Sequence, residues 1–464
     1  MLMTEASHPH LERDLRAMTA DGVAFSGMVA LGETYVPAFA LAAGLGEVVA
    51  GLVATVPMLA GACLQMVTPA AVRYLGSYRR WVVLCARLQA LSFVPLIVGA
   101  AMGKVGLLWV GVATVAYWAF GMSTSPAWNA WVTSLVPSEI RARFFARRAR
   151  AAQAALLVAL VAGGLALEHG RTHGVELAVF AALFAAAMTS RLISSGFLAA
   201  QSEAPGLAAS HQSLGAAPVW ERLRSAGSVR VLTYLIAMKA VTHIAAPYFT
   251  PYMLGPLDLS YGRFMTLIAA SFAARVAVLP LLGRLAHHRG ARSVLWLGGV
   301  GIVPLPVLWL VSHDFYYLLA LQLFAGTAWV AIELATTLSF FEGIPESDRA
   351  SVLSVFNLAN AAAIATGALA GAQLFTWLDG SAAGYAWLFA ISSAGRLLTL
   401  ALLRRTPAAA RIPEGLRMRT LAVRPSGVAV QRPILASATS ETTEEPPPTA
   451  KQSSRRLSGP SRLE

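Results

Sequence analysis

Long apolar runs alternate with short polar breaks along the chain, and each run is about twenty residues long and apolar on every side. Neither the one-sided stripe of a soluble helix nor strand alternation accounts for such runs. Crossing about 30 Å of hydrocarbon takes about twenty helical residues, and only helices and closed barrels satisfy their backbones there. The pattern predicts twelve spanning helices, at 19–43, 47–71, 81–102, 106–135, 146–168, 175–199, 231–254, 261–283, 293–312, 315–341, 350–376 and 382–403. A mixed segment, HLERDLRAM, precedes the first run, which has no small-residue cleavage site and is expected to be a retained helix.

Composition agrees with the pattern. Of 464 residues, 56% are hydrophobic and 13% charged, far from the usual soluble mixture. The net charge of +13 is carried by short arginine clusters between spans, with no aromatic-interleaved basic domain, so nucleic acid is not an expected partner. Arg73, Arg79 and Arg80, then Arg141 to Arg150, Arg222 and Arg224, Arg284, Arg289 and Arg292, Arg349, and Arg404 and Arg405 all fall on one side. The other side carries Lys104, Arg171 and Arg263. By the positive-inside rule both termini are expected in the cytoplasm, and the membrane to be a bacterial inner membrane. Cys63 and Cys85 lie inside predicted spans and are expected to be buried thiols.

Five domains follow: a cytoplasmic segment 1–17, a six-helix bundle 18–199, a central cytoplasmic loop 200–228, a second bundle 229–405 and a tail 406–464. The loop holds a candidate surface helix around Trp220 to Arg224, and the Pro-, Ser- and Thr-rich tail is expected to be disordered.

Comparing the halves exposes a repeat. VPSEIRAR follows the fourth predicted helix and IPESDRAS the tenth, pairing Pro137 with Pro345 and Arg141 with Arg349 at an offset of 208. VRYLGSYRR around Gly76 pairs with LAHHRGARS around Gly290 at 214, SRLI at Arg191 with GRLL at Arg396 at 205, and Pro37 and Phe39 with Pro247 and Phe249 at 210. Four matching segments in order make a parallel repeat, with equivalent loops on one side.

These features resemble the major facilitator superfamily, over residues 15–405. The resemblance implies an all-α membrane protein of 12 transmembrane helices in two pseudo-symmetric six-helix bundles, a secondary transporter working by alternating access. The family's loop signature, G-x-x-x-D-R-x-G-R-R, is met in part by GRLAHHRGAR, which keeps Gly283, Gly290 and Arg292 but has His287 at the acidic position. The first copy keeps Gly76, Arg79 and Arg80, with Pro69 and Arg73 at the first glycine and the acidic position. With Arg141 and Arg349 these residues are the candidate cytoplasmic gate loops. The glycine-rich Gly-Pro run of antiporters is missing, since LVAGGLAL has Gly163 and Gly164 without a proline.

Charge at bilayer depth is costly, so an ionisable residue in mid-span is expected to face a cavity or a partner. The candidates are Glu33, Lys239, His243, Arg275 and Glu333, with Asn129 between Trp128 and Trp131. The Pro37–Pro247 register makes Glu33 and His243 equivalent and places them face to face across the pseudo-twofold axis, a candidate proton site. The alternative is a static pair of Glu33 with Lys239 or His243. Arg275 can bind an anionic substrate or pair with Glu333. Trp128, Trp131, Trp329, Asn357 and Asn360 are candidate pocket residues, the asparagines alternatively bonding a neighbouring helix. Tyr252 is expected as an interfacial anchor, and Arg87, Arg191 and Arg396 as shallow side chains that snorkel or bond loop carbonyls.

No catalytic cluster, phosphate-binding glycine loop or metal-ligand spacing is evident, so no enzyme activity, cofactor or metal is expected. The expected function is a proton-coupled secondary transporter, a monomer acting on a small solute and H+ in a lipid bilayer. A non-transporting sensor or scaffold, or a lipid-modifying membrane enzyme, is the alternative.

Overall fold

A computed structural model describes residues 8–53, 55–203, 229–343 and 346–404. Among them there are helices and turns and no strand. The first span is α1 (His8–Leu31), a 3-10 turn (Glu33–Tyr35) and α2 (Val36–Ala42), and the second is α3 (Glu47–Leu52), α4 (Pro57–Gln65) and α5 (Thr68–Leu75). The third is α6 (Tyr78–Leu91) with α7 (Val94–Met102). Single helices form the fourth, α8 (Leu107–Leu135), fifth, α9 (Ser138–Thr172), and sixth, α10 (Glu176–Ala200).

The second half repeats this order. Its first span is α11 (Val229–Ala245), a 3-10 turn (Ala246–Tyr248) and α12 (Phe249–Leu254), followed by the long α13 (Tyr261–Arg289). Then come α14 (Ala291–Ile302) with α15 (Leu305–Leu308), and finally α16 (Phe315–Gly343), α17 (Glu346–Trp377) and α18 (Ala382–Arg404). Eleven stretches among the described residues are long and apolar enough to cross a membrane. The broken seventh is the predicted span outside that set.

Prolines set many of the breaks. Pro37, Pro57, Pro69, Pro95 and Pro306 each stand in the first turn of a helical segment, where the missing N–H would have had no intrahelical partner. Pro126 and Pro280 instead lie inside continuous helices.

Packing within each half follows one plan. The first span packs on the fifth and sixth through α1, α9 and α10, as the seventh does on the eleventh and twelfth through α11, α17 and α18. The second packs on the fourth as the eighth does on the tenth. Between halves α9 meets α13, and α4 meets α17, two crossings related by the same pseudo-twofold exchange. Small residues permit the closest approaches. A Cβ at Gly367 or Gly371 of α17 would overlap the carbonyls of Ala240 and Ile244 in α11, a small-xxx-small contact of the membrane kind.

Several expectations change. Helix α1 is already formed at His8, the first described residue, inside the segment expected to precede the first span; Asp14 is buried and accepts from the Ser202 N–H at 3.2 Å. Arg191 and Arg396 do not snorkel, being each 2% exposed. Arg191 donates to Gln89 Oε1 and Ser194 Oγ, and Ser194 and Arg148 both reach Asp21, so four spans of the first half share one buried network. Hydrogen bonds and a carboxylate within one network lower the cost of such charges at depth. Cys85 is buried but Cys63 is exposed, and Tyr252 packs inside against Tyr385 and Phe389.

The candidate helix around Trp220 to Arg224 and the tail 406–464 lie outside the described residues, as do the side chains of Arg141, His287 and Arg349.

Candidate functional site

The first and seventh spans are interrupted at corresponding places. In the first, Gly32 takes φ −103° and ψ −81°, which ends α1, and Glu33–Tyr35 turns tightly before α2 resumes. Gly32 is needed here, because a Cβ would strike the Phe93 ring. Pro37 cannot donate to the carbonyl of Glu33, four residues back. In the seventh, Pro247 lies within the turn and cannot donate to the carbonyl of His243. Irregular backbone at membrane depth is tolerated where it is buried in protein or lines a cavity.

A cavity of about 260 Å3 lies between the halves at these breaks. Glu33 lines it from the first turn, and Lys239 and His243 line it from the end of α11. Arg275 of α13 and Glu333 and Trp329 of α16 complete the second-half wall. Thus all five ionisable candidates meet one cavity. The volume falls just under the range of about 300–1,000 Å3 usual for small-molecule pockets.

The contacts divide the wall into two chemistries. On the first-half side the Tyr117 hydroxyl donates to Glu33 Oε2 at 2.6 Å, and the Tyr117 ring packs edge-on against Phe93 and Trp118. On the second-half side Arg275 donates to Glu333 Oε1 at 2.7 Å and lies over Phe272. The Lys239 ammonium stands 5.6 Å from the centre of the Trp329 ring, within cation–π reach. His243 Nδ1 is 2.8 Å from the Lys239 carbonyl of its own helix.

The 3-10 turns correct one detail of the repeat. They coincide at an offset of 213, Glu33 with Ala246 and Tyr35 with Tyr248, rather than the 210 of Pro37 and Pro247. Glu33 is therefore level with Ala246, nearly a helical turn from His243. The two share a cavity without being equivalent.

Other candidates lie elsewhere. Trp131 is fully buried and donates to the Ser202 carbonyl at 2.8 Å. Trp128 packs on Phe145 beneath the Arg148 guanidinium. Asn129, Asn357 and Asn360 are not among the residues lining the cavity; Asn357 and Asn360 are buried in α17, with no partner for Asn360 Oδ1 among the described residues. Conversely, Tyr117, Phe93, Trp309 and Arg396 line the cavity without having been singled out for it. Arg396 could have been found from its place in an apolar span, and Tyr117 from its hydroxyl near the middle of the fourth.

The candidate gate loops bind within their own halves. Gly76 (φ 61°) and Gly290 (φ 82°) end α5 and α13 in the left-handed region that glycine adopts freely. Beyond them, Arg79 donates to the Gln201 carbonyl at 3.2 Å, and Arg292 to the Leu403 carbonyl at 3.5 Å. Each arginine ties the start of its half's third helix to the end of its sixth. The backbone N–H of Arg80 donates to Ser77 Oγ, which itself bonds Glu203. Gly283 sits in open space within α13.

At the face opposite the termini the halves are joined by polar contacts. Arg171 meets Asp258 at 3.2 Å, Tyr261 donates to Glu176, and the Gly262 N–H donates to Glu168 at 3.4 Å. Beneath them Gly51 of α3 lies against Pro247.

No protein-family model and no characterised relative matches the sequence. Solved structures do. The nucleoside transporter NupG superposes with a TM-score of 0.60 at 12% identity, covering 85% of this chain and 98% of that one. The xylose transporter XylE from E. coli gives 0.61 at 14%, covering 86% and 98%. A bacterial homologue of the human lysosomal transporter Spinster gives 0.64 at 13%, covering 87% and 98%. The chain has the fold of the major facilitator superfamily transporters, that of a multi-pass integral membrane protein. At these identities the likeness fixes architecture and leaves the solute open.

Proposed function

We propose that this protein is a secondary transporter that carries a small solute through the cavity between its halves by alternating access, driven by protons. The two bundles, 18–199 and 229–405, move against each other, with the loop 200–228 joining them and both termini in the cytoplasm of a bacterial cell. One observation carries this: Glu33 and Lys239 reach the same small cavity from opposite halves, beside matched breaks in the first and seventh spans. A carboxylate there can exchange a proton with whichever side the cavity faces, and the breaks give each half a bending point.

Glu33 is the proposed proton carrier. Its carboxylate is held by the Tyr117 hydroxyl on the wall opposite the cations. Arg275 and Glu333 form a half-buried pair that fixes α13 to α16. Lys239 and His243 face the solute, and the arginines after Gly76 and Gly290 brace each bundle so that it moves as a unit.

The test uses the full chain in liposomes. Counterflow of labelled xylose, uridine, benzoate and alanine should reveal exchange of one class, accelerated by an imposed pH gradient. Glu33→Gln should keep exchange and lose the acceleration. Saturable binding without exchange would instead make the protein a sensor.

A further inference from the structure

The ionisable groups on the cavity wall do not balance. Arg275 and Glu333 form a pair. Arg396, which also lines the cavity, donates to the Ile302 carbonyl through Nη1, with no partner for its buried Nε–H among the described residues. Lys239 is left with no hydrogen-bonding or ion-pair partner among the described residues; its ammonium rests over the Trp329 ring, within Coulombic reach of both Glu333 and Arg275. Arg275 also keeps a donor to spare, since its buried Nε–H has no partner among the described residues. Glu33, the other carboxylate, is on the opposite wall and engaged by Tyr117. Under-used cationic donors of Lys239, Arg275 and Arg396 therefore gather on the second-half side, those of Lys239 and Arg275 beside the Trp329 and Phe272 rings.

A buried cation without a counter-charge is costly. In a wall that also holds Phe272 and Trp329, the group that satisfies these donors is an acid attached to an apolar body. We propose that the solute is a small organic anion, a carboxylate or phosphate ester, whose acid group docks between Lys239 and Arg275 while its body lies against Trp329 and Phe272. The cavity of about 260 Å3 limits it to a single ring or short chain. This assignment deepens the transporter reading and rests on it only for the direction of movement, since binding is measurable without flux.

The experiment is a thermal-shift and isothermal binding series on the purified full chain in nanodiscs. The probes are benzoate, 4-hydroxybenzoate, lactate and phenyl phosphate, each against a neutral counterpart such as benzamide or lactamide, with benzylamine as the cationic control. At least one acid should bind saturably and at least about tenfold tighter than its neutral partner, as expected for a charge-assisted hydrogen bond. Lys239→Gln should abolish that preference and Lys239→Arg should retain it, a contrast that remains informative if one variant loses stability. No preference for any acid, or an equal preference in Lys239→Gln, would overturn the proposal. Acid binding without counterflow would leave the anion site standing and remove transport, whereas counterflow of a neutral solute with no acid binding would do the reverse.

Discussion

The first and seventh spans are built alike and furnished differently. Both are broken by a 3-10 turn of three residues, both carry a buried tyrosine at the end of that turn, Tyr35 and Tyr248, and both pack on the fifth and sixth helices of their own half. Yet the first brings a carboxylate to the cavity and the seventh brings Lys239 and His243. The supports differ too. The Tyr35 hydroxyl donates to the Leu160 carbonyl at 2.7 Å, with its ring against Gly163, whereas Tyr248 makes tilted and edge-on ring contacts with Phe375 and Tyr385. A duplicated backbone can thus keep its packing while its lining diverges, because the lining faces the cavity and is released from the packing constraint. The result is a cavity with a negative wall and a positive wall.

The largest break in that comparison is expected on the positive wall. Glu333→Ala leaves the half-buried Arg275 without its partner, and stranding a partly buried charged donor in this way costs up to about 3 kcal/mol. The melting temperature of the purified protein should fall sharply, and Arg275→Met/Glu333→Leu together should recover most of the loss. A double variant as unstable as the single would show that the pair does more than satisfy itself.

Next in size is the helix contact behind that wall. Gly371→Val pushes a branched side chain into the Ile244 carbonyl, and overpacking of this kind costs about 1–3 kcal/mol. Its effect on thermal stability should exceed that of Gly111→Val, where no atom lies within 4 Å of the added Cβ. On the negative wall, Tyr117→Phe removes the donor to Glu33, a hydrogen bond to a charged group worth about 1.5–3 kcal/mol. Flux should become less responsive to a pH gradient while the binding preference for acids is unchanged, which separates the two walls by experiment.

How much of this was legible in the sequence depended on what each residue costs when misplaced. Charged residues were readable: Glu33, Lys239, Arg275 and Glu333 stood in apolar runs, and hydrocarbon excludes them from every position but a cavity or a partner. The same cost made Arg396 readable in principle, yet its nearness to a span end suggested snorkelling, and only the structure puts it deep. Aromatic and amide residues carry no such penalty. Trp131 satisfies its N–H on the Ser202 carbonyl and Asn357 is buried in α17 away from the cavity, so mid-span position said nothing of where they point. The helices were legible from hydropathy and several of their breaks from prolines such as Pro57, Pro95 and Pro247, but the register of the first span's turn was not, because it depends on Gly32 and its contact with Phe93 across the fold. The offset of 210 came from prolines, which mark where a helix can break and not where the turn sits.

The smallest effect is expected at the face opposite the termini, and it concerns motion more than stability. Arg171 and Asp258 are 44% and 81% exposed in their side chains, and an exposed pair contributes about 0–1 kcal/mol. Asp258 has φ 43°, so the substitution that removes charge without adding backbone strain is Asn, which tolerates the left-handed region. Asp258→Asn should change the melting temperature by no more than a degree or two, on the order expected for a fraction of 1 kcal/mol in a protein this large. In the proposed alternating-access cycle this pair joins the halves at their closed face, so a small weakening there acts directly on the equilibrium between closed and open forms. A change of 0.5–1 kcal/mol is about a two- to fivefold change in that equilibrium. Labelling of a cysteine placed at Thr250, on the cavity wall, by a reagent added from that face should accelerate by about this factor in Asp258→Asn, and the acceleration should fade at high salt as screening weakens the pair in the parent. Equal labelling rates in both proteins at low salt would show that Tyr261–Glu176 and the apolar contact of Gly51 with Pro247 hold the face shut without it.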